Sequence, residues 1–163
     1  MYTVGIITSS DKGYAGGRED KSGEVIKEII EERGFKVIRQ VILPDEKEML
    51  KQEFINMSDE LNVNLILSTG GTGFSKRDIT PEATKEVIER EAAGICEAIR
   101  LYSLQITKRA MLSRAVSGIR GNTLIVNLPG SPKACKEALD FVLEELRHGI
   151  GILLGEEKEC ARK

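Results

Sequence analysis

The sequence predicts an α/β domain built around a mixed β-sheet. Short runs rich in β-branched residues alternate with segments whose apolar residues recur at helical spacing, the pattern of parallel strands joined by helical crossovers. One pair of runs is instead joined by a short glycine-bearing turn, which indicates an antiparallel hairpin in the same sheet. At 163 residues, 40% apolar and 31% charged, the chain has the size and composition of one globular domain over residues 1–163.

The first strand–helix unit occupies residues 2–34. A near-continuous apolar run at 2–8 predicts a strand, and a polar, glycine-rich loop follows to residue 18. A helix then begins at Asp20 or Ser22, both good N-cap residues, and ends at Arg33 with a glycine after it. Capping alone explains Asp20 and Ser22, and contact with a ligand is the alternative interpretation.

The second unit places a carboxylate after a strand. Residues 35–43 predict a strand that is buried enough to lose polar–apolar alternation. A helix follows Pro44 and runs through Met57, and Asp45 with Glu48 resembles a capping box at its start. Asp45 is therefore a helix cap, a ligand-binding carboxylate at the carboxyl end of a strand, or both.

A glycine-rich loop follows the third apolar run, at residues 65–67. The run predicts a buried strand that stops at residues 68–69 and opens into Gly70, Gly71, Thr72 and Gly73. Glycines let the backbone turn sharply and offer N–H groups to an oxyanion. A tight connection without a ligand is the alternative, since the loop has neither the Walker A lysine nor the dinucleotide-binding spacing.

A charged pair and a helix start come next. Arg77 and Asp78 precede a helix with Thr80 as N-cap and Pro81 at its first position. By itself Asp78 could be an ordinary turn residue. Strand, glycine loop, charged pair and helix N-terminus together predict a phosphate site at the end of a sheet strand.

The next segment contains two helices and the hairpin. Helical spacing predicts helices at 81–90 and 92–106. Ser103 lies in the second helix and Ser113 in the segment after it, and spacing alone indicates only a surface hydroxyl for each. Residues 114–119 and 123–128 predict the hairpin strands, joined by a three-residue turn at 120–122.

The last helix repeats the arrangement at the glycine loop. A strand ends at Leu128, a glycine turns the chain, Ser131 caps the helix and Pro132 takes its first position. A second free helix N-terminus at a strand end again favours an anion. His148 is predicted in the C-terminal turn, where a cation suits the helix dipole. Residues 156–163 predict a charged, frayed tail.

Composition excludes several classes of function. The net charge of −2 and the few aromatic residues argue against binding of nucleic acid. We expect no membrane association and a cytoplasmic location, because the sequence has no secretory signal and no run of 18 apolar residues. Cys96, Cys135 and Cys160 are odd in number and widely spaced, which predicts reduced thiols rather than disulfides or a zinc site.

The strand ends together indicate the chemistry. If the strands share one sheet, the glycine loop and the helix N-termini lie at the same edge as Asp45 and Asp78. Carboxylates beside a phosphate cradle suggest that Mg²⁺ lies between them and the phosphate oxygens. The pattern predicts phosphoryl or nucleotidyl transfer by positioning and charge neutralisation.

Three motifs give the chain a family resemblance. TGGTGFSKRDITPEAT (69–84), SLQITKRAMLSRAVSGIRGNTLIVNLPGSPKA (103–134) and SDKGYAGGREDKSG (10–23) resemble the MoaB/Mog family of molybdenum cofactor biosynthesis proteins. The same fold and motifs recur in the G domain of gephyrin and of its plant counterpart. Lys108 and Arg109 depart from the family, in which several relatives have an apolar pair at these positions.

The resemblance implies both a fold and an activity. The fold is a three-layer α/β/α domain with a mostly parallel mixed sheet, assembled as a trimer and in some members as a hexamer. The ligand is molybdopterin, a pterin with a dithiolene and a terminal phosphate. Active members use Mg²⁺ and ATP to adenylylate that phosphate and release pyrophosphate, and a molybdenum-inserting protein takes the product.

The resemblance also implies roles for residues in the matched motifs. Asp45 and Asp78 correspond to the catalytic, magnesium-linked carboxylates, and Ser103 and Ser113 to serines at the pterin end. The implied substrate- and nucleotide-binding residues are Ser10, Asp11, Asp20, Ser22, Gly70, Gly71, Thr72, Gly73, Arg77, Thr80, Ser103, Ser113, Pro129, Gly130 and Ser131.

Other functions stay open at this point. Some MoaB-type members bind the pterin without clear adenylyl transfer, so a non-catalytic molybdopterin carrier is the main alternative. Retention of both Asp45 and Asp78 favours the enzyme. A nucleotide hydrolase of the CinA type and a gephyrin-like scaffold both involve further domains that the 163 residues do not include.

Overall fold

The computed structural model describes residues 1–156, which form a six-stranded sheet with helices on both faces. The strands are β1 (Thr3–Ser9), β2 (Lys36–Leu43), β3 (Leu65–Thr69), β4 (Arg90–Glu91), β5 (Ser117–Arg120) and β6 (Thr123–Leu128). The helices are α1 (Asp11–Tyr14), α2 (Lys21–Glu32), α3 (Lys47–Ile55), α4 (Thr80–Val87), α5 (Ala93–Leu104) and α6 (Pro132–Leu153). A π-helical turn, Asn56–Glu60, extends α3, and a 3₁₀ turn, Lys108–Leu112, follows α5.

The sheet is mixed, with strand order β2-β1-β3-β6-β5-β4. Strands β2, β1, β3 and β6 run parallel, and β5 runs antiparallel to both of its neighbours. Thr69 of β3 lies opposite Thr8 on one side and Leu128 on the other, and Ser9 lies opposite Leu43. The predicted meeting of the strand ends at one edge is confirmed.

Two hydrophobic clusters occupy the two faces of the sheet. Ile6 and Leu67 belong to the cluster formed with α2, α5 and α6, whereas Ile7 and Ile66 belong to the cluster formed with α3 and α4. Neighbouring residues of a strand point to opposite faces, so β1 and β3 supply side chains to both clusters. These clusters confirm the three-layer α/β/α architecture.

Asn127 ties the central strands to α4 inside the core. Its fully buried amide donates to Ser68 Oγ at 2.8 Å and to Thr84 Oγ1 at 3.0 Å, and its Oδ1 accepts the N–H of Val116 at 3.0 Å. A buried amide requires such partners. The network fixes α4 against β3 directly behind the glycine-rich loop.

Several predictions about strands are wrong. None of the eight residues of β2 is buried, because β2 lies at the sheet edge and pairs only with β1. The helix predicted at 81–90 stops at Val87, since Arg90–Glu91 pair with β5 as the edge strand β4. The hairpin turn has two residues rather than three, because Arg120 still pairs with Thr123, and β5 begins only at Ser117.

The helix starts confirm some predicted caps and correct others. Asp20 caps α2 by accepting the N–H of Gly23 at 2.9 Å, and Ser131 caps α6 by accepting that of Ala134 at 3.2 Å. Asp45 is not a cap, since α3 begins at Lys47 without a side-chain cap bond. Thr80 is already the first residue of α4, although Pro81 takes the predicted early position.

Two further predictions concern the C-terminal part of the chain. Helix α6 continues to Leu153 because Ile150 and Gly151 are buried, so His148 lies before its last turn rather than in it. Cys96 and Cys135 are free, buried thiols. Burial raises the pKa of both, and that of Cys135 reaches about 11. Cys160 and the predicted tail, apart from Glu156, lie outside the described residues.

No helix within residues 1–156 combines the length and the apolar content needed to cross a bilayer.

Candidate functional site

A polar cleft of about 840 Å³ lies at the edge where the parallel strands end. Its walls come from the loop after β1, the start of α2, the loop after β2, the glycine-rich loop after β3 and the turn before α6. The predicted site residues that line it are Ser10, Asp11, Asp20, Ser22, Asp45, Gly70, Gly71, Arg77, Asp78 and Gly130. An edge where crossovers diverge to opposite faces is where open α/β sheets bind ligands.

The glycine-rich loop packs closely against β1 and α4. Gly70 and Gly71 adopt φ of 87° and 71°, in the left-handed region that favours glycine. A Cβ on Gly70 would lie 2.3 Å from the carbonyl oxygen of Ser9, and one on Gly71 would lie 2.4 Å from Thr80 Oγ1. Thr80 is buried behind the loop and donates its hydroxyl to the Gly70 carbonyl at 3.0 Å.

The loop also offers unpaired backbone donors. Among residues 1–156, the N–H groups of Gly71, Thr72 and Gly73 have no protein acceptor. Successive N–H groups without acceptors in a turn of this kind form a concave site for an anion. These donors are available to a ligand oxyanion, as the phosphate-site interpretation of the loop requires.

Asp45 is fixed by the loop after β1. Its Oδ1 accepts the Ser9 hydroxyl at 2.6 Å and its Oδ2 accepts the N–H of Asp11 at 3.2 Å. In return the N–H of Asp45 donates to Asp11 Oδ1 at 3.0 Å. Each Asp45 oxygen still has a second lone pair for a ligand.

Arg77 closes this side of the cleft. Its Nε and Nη2 donate to the Asp11 carboxylate at 3.0 and 2.9 Å, and Nη2 also donates to Glu46 Oε1 at 2.9 Å. The Arg77 hydrogen bonds and then the N–H of Asp45 hold the pKa of Asp11 below its ordinary value. Loops from three strand ends are joined by this one side chain.

Asp78 lies in the same cleft with one oxygen uncommitted. Its Oδ2 accepts the N–H of Ser75 at 2.9 Å, and no described residue donates to Oδ1. Both carboxylate oxygens of Asp20 accept the Thr8 hydroxyl, at 3.1 and 2.9 Å, in addition to the bond by which Asp20 caps α2. Asp78 is therefore the more available of these two carboxylates.

The positive charges of the cleft include three without partners. Lys12, Arg18 and Lys21 line it, and within residues 1–156 their side-chain nitrogens make no hydrogen bond or ion pair. Free cations beside a glycine-rich loop attract polyanions. Sequence reasoning missed these three residues, since only the fold shows that they face the cleft.

A second, largely apolar chamber of about 290 Å³ adjoins the cleft. Five of the predicted site residues line this chamber and not the cleft: Thr72, Gly73, Ser103, Ser113 and Pro129. Gly130 lines both spaces, and Gly70 and Gly71 line the cleft side of the loop. Of the remaining predicted residues, Thr80 is buried and Ser131 is an exposed cap, and neither lines the two spaces.

Comparison with known proteins identifies the family. Residues 5–148 match the family model described as a "probable molybdopterin binding domain". The chain belongs to this molybdopterin-binding domain family. The molybdopterin adenylyltransferase of Helicobacter pylori is 38% identical over 154 residues, which cover 93% of this chain and 88% of that protein.

Other relatives of this molybdopterin-binding domain support the same family assignment. The molybdopterin biosynthesis enzyme MoaB of Thermus thermophilus superposes with a TM-score of 0.89 at 45% identity, over 95% of this chain and 98% of that one. The molybdenum cofactor synthesis protein cinnamon of Drosophila melanogaster is 40% identical over 163 residues, but the chain spans only 27% of it. The family expected from the motifs is confirmed.

The molybdopterin-binding domain has oxygen ligands suited to Mg²⁺ in the cleft. Asp45 and Asp78 line the cleft and retain free lone pairs, and Mg²⁺ prefers one or two carboxylates together with phosphate oxygens and water. Residues 1–156 contain no group of three His, Cys, Asp or Glu that could hold a metal ion. The residues therefore fit an ion that is held jointly with a bound phosphate.

Proposed function

We propose that this chain is a molybdopterin adenylyltransferase. An oxygen of the terminal phosphate of molybdopterin attacks the α-phosphorus of ATP and forms a new P–O bond. The bond from the α-phosphorus to the bridging oxygen breaks, and pyrophosphate leaves with the electron pair. Similarity to the Helicobacter pylori protein of that name over 88% of its length supports this activity.

The observation that carries the proposal is the pair of adjoining chambers. The polar cleft suits a nucleotide with its phosphates, because it combines free cations, carboxylates and the residue Gly71, whose N–H has no protein acceptor. The apolar chamber suits a flat pterin, because it is mostly apolar with two serine hydroxyls, those of Ser103 and Ser113. Gly130 lines both chambers, so the phosphates of the two ligands approach each other there.

The protein's own task in this reaction is positioning and charge neutralisation. Both reactants are polyanions, and the nucleophile is the substrate's own phosphate, so no strong protein base is required. The N–H groups of Gly71, Thr72 and Gly73 hold phosphate oxygens. Lys12, Arg18 and Lys21 offset the remaining negative charge.

Asp45 and Asp78 are the residues that hold Mg²⁺ in this proposal. When bound, the ion would neutralise part of the negative charge of the phosphates. Ser9 and Asp11 orient Asp45, and the N–H of Ser75 orients Asp78. These protein contacts fix the orientation of both carboxylates.

We also propose a cytoplasmic homotrimer, or a hexamer as in some relatives, that passes its product to a molybdenum-inserting protein. The MoaB/Mog resemblance supports this assembly and partner.

Pyrophosphate release tests the activity. With Mg²⁺, ATP and fresh molybdopterin, the protein releases pyrophosphate only when all three are present. Asp78→Asn lowers the turnover by about 10²-fold or more, because a neutral amide holds Mg²⁺ less well than a carboxylate and the reacting phosphates lose charge neutralisation. The dissociation constant for molybdopterin changes little, since the apolar chamber is intact.

Asp140→Asn is the matched control. Asp140 is a surface carboxylate on α6 that pairs with Arg33 and Lys136, away from the cleft, so this variant keeps wild-type turnover. Saturable binding of molybdopterin without pyrophosphate release by the wild type would overturn the enzyme proposal and favour the carrier alternative.

A further inference from the structure

Arg114 joins both ends of the segment that carries Asp78. Its Nε donates to the carbonyl oxygen of Gly73 and its Nη2 to that of Asp78, each at 2.7 Å. Its Nη1 donates to both oxygens of Glu82, at 2.6 and 3.1 Å, and its backbone N–H donates to the Thr72 carbonyl at 2.9 Å. One residue thus contacts the start of the loop, its end and the first turn of α4.

The geometry of these bonds defines relative positions. A guanidinium is planar and its donors form a rigid fork, so acceptors on three edges are held at fixed angles to one another. The side chain is 35% exposed and that of Glu82 is 44% exposed. An ion pair exposed to this degree contributes little to stability, so the fork matters mainly for geometry.

Arg114 lines neither chamber, but its contacts lie beside residues that do. Ser113, its neighbour in the chain, lines the apolar chamber, whereas Asp78 lines the polar cleft. Within residues 1–156, the Asp78 side chain has only the N–H of Ser75, from its own loop, as a hydrogen-bond donor. The position of the carboxylate therefore depends on the position of its backbone.

We propose that Arg114 is a positioning residue that holds the 73–78 segment, and with it Asp78, in place at the wall of the polar cleft. It touches neither reactant and acts through the backbone of Asp78. The consequence for adenylyl transfer rests on the function proposed above, whereas the consequence for the order of the loop does not.

Hydrogen exchange tests the structural half of the proposal. In Arg114→Gln, the amides of Ser75 and Asp78 exchange at least about 10-fold faster than in the wild type, because their loop opens locally. Arg120→Gln is the matched control: Arg120 likewise binds a carboxylate, that of Asp59, and a carbonyl, that of Val87, but outside the cleft. Unchanged exchange in folded Arg114→Gln would overturn the proposal.

Kinetics test the functional half. Displacement of a catalytic group by about 1 Å costs on the order of 10²-fold in rate, so kcat of Arg114→Gln falls by about that factor. The dissociation constant for molybdopterin stays within about 3-fold, because Gly73 is the one residue of the chamber lining that belongs to the 73–78 segment. Arg114→Lys recovers part of kcat, since an ammonium can replace one of the three contacts.

The outcomes separate this inference from the proposed function. A kcat of Arg114→Gln equal to that of Arg120→Gln, in the presence of wild-type turnover, would overturn the positioning role alone. Absence of turnover in the wild type would overturn the adenylyltransferase, and the exchange rates would then still decide whether Arg114 holds the loop. If Arg114→Gln does not fold, Arg114→Lys serves for both measurements.

Discussion

At the mouth of the cleft, the guanidinium of Arg77 lies between the carboxylates of Asp11 and Glu46. Asp11 in turn exchanges two hydrogen bonds with Asp45. The proposed metal ligand Asp45 is thus held through its backbone N–H by the Asp11 carboxylate, and that carboxylate is held by an arginine. The arginine and the backbone N–H groups offset the repulsion among these neighbouring carboxylates.

The titration of Asp11 tests this arrangement. Its pKa lies below the ordinary 3.8, first because of the Arg77 hydrogen bond. A lowered folded-state pKa stabilises the fold above the unfolded-state value, and this contribution is lost as the pH falls through the folded-state pKa. In Arg77→Gln, the pKa of Asp11 rises toward 3.8, as measured by carboxyl-carbon NMR.

Arg39→Gln provides the control for that titration. Arg39 lies on the edge strand β2 and donates from two nitrogens to the Glu53 carboxylate, as Arg77 does to Asp11. Its removal leaves the titration of Asp11 unchanged. If Asp11 titrated alike in the wild type and in Arg77→Gln, Arg77 would not be the source of the shift.

The sequence predicted the positions of some site residues and missed others. Asp45 and Asp78 were predicted at the ligand edge because each follows a strand, and a strand end is a local signal. Arg114 was missed because its side-chain acceptors lie 32 to 41 residues earlier in the chain. The predicted capping box at Asp45 is absent for a related reason. The Asp45 carboxylate accepts hydrogen bonds from Ser9 and Asp11, which are distant in the sequence, rather than from the start of α3.

Among the elements, the connection from β3 to α4 is the most tightly constrained. The backbone at Gly70 approaches the end of β1 so closely that a Cβ would meet a backbone oxygen rather than a flexible side chain. A side chain at positive φ costs about 1–2 kcal/mol before any clash. Glycine is therefore required at this position for two separate reasons.

Paired substitutions separate the two reasons. Gly70→Ala lowers the free energy of unfolding by about 3 kcal/mol or more, from positive φ together with the 2.3 Å contact with the Ser9 carbonyl oxygen. Gly16→Ala costs only about 1 kcal/mol, because Gly16 has φ +81° but nothing within 4 Å of a Cβ. Urea unfolding measures both, and equal losses would mean that the close approach carries no cost.

Elements with strong local signals were predicted well. Helices α2 and α6 have N-caps and apolar periodicity in the sequence, and both lie within a few residues of their predicted starts. The two-residue strand β4 has no such signal and exists through its pairing with β5. The exposure of β2 depends on strand order, which the local sequence does not encode.

For the whole molecule, the parallel strands bring the ends of β1, β2, β3 and β6 to one edge, where the polar cleft adjoins the apolar chamber. The motifs and their order predicted the family, the layers and the mixed sheet. They did not predict that Gly130 would line both spaces, or that three free cations would face the cleft, because both depend on distant segments meeting.

Transfer of a labelled phosphate tests the proposed adenylyl transfer most directly. The protein is incubated with Mg²⁺, molybdopterin and ATP labelled at either the α- or the γ-phosphate, and the pterin product is isolated. Attack at the α-phosphorus predicts label in the pterin from α-labelled ATP and none from γ-labelled ATP. Label from the γ-phosphate, or none from either, would contradict adenylyl transfer at this cleft.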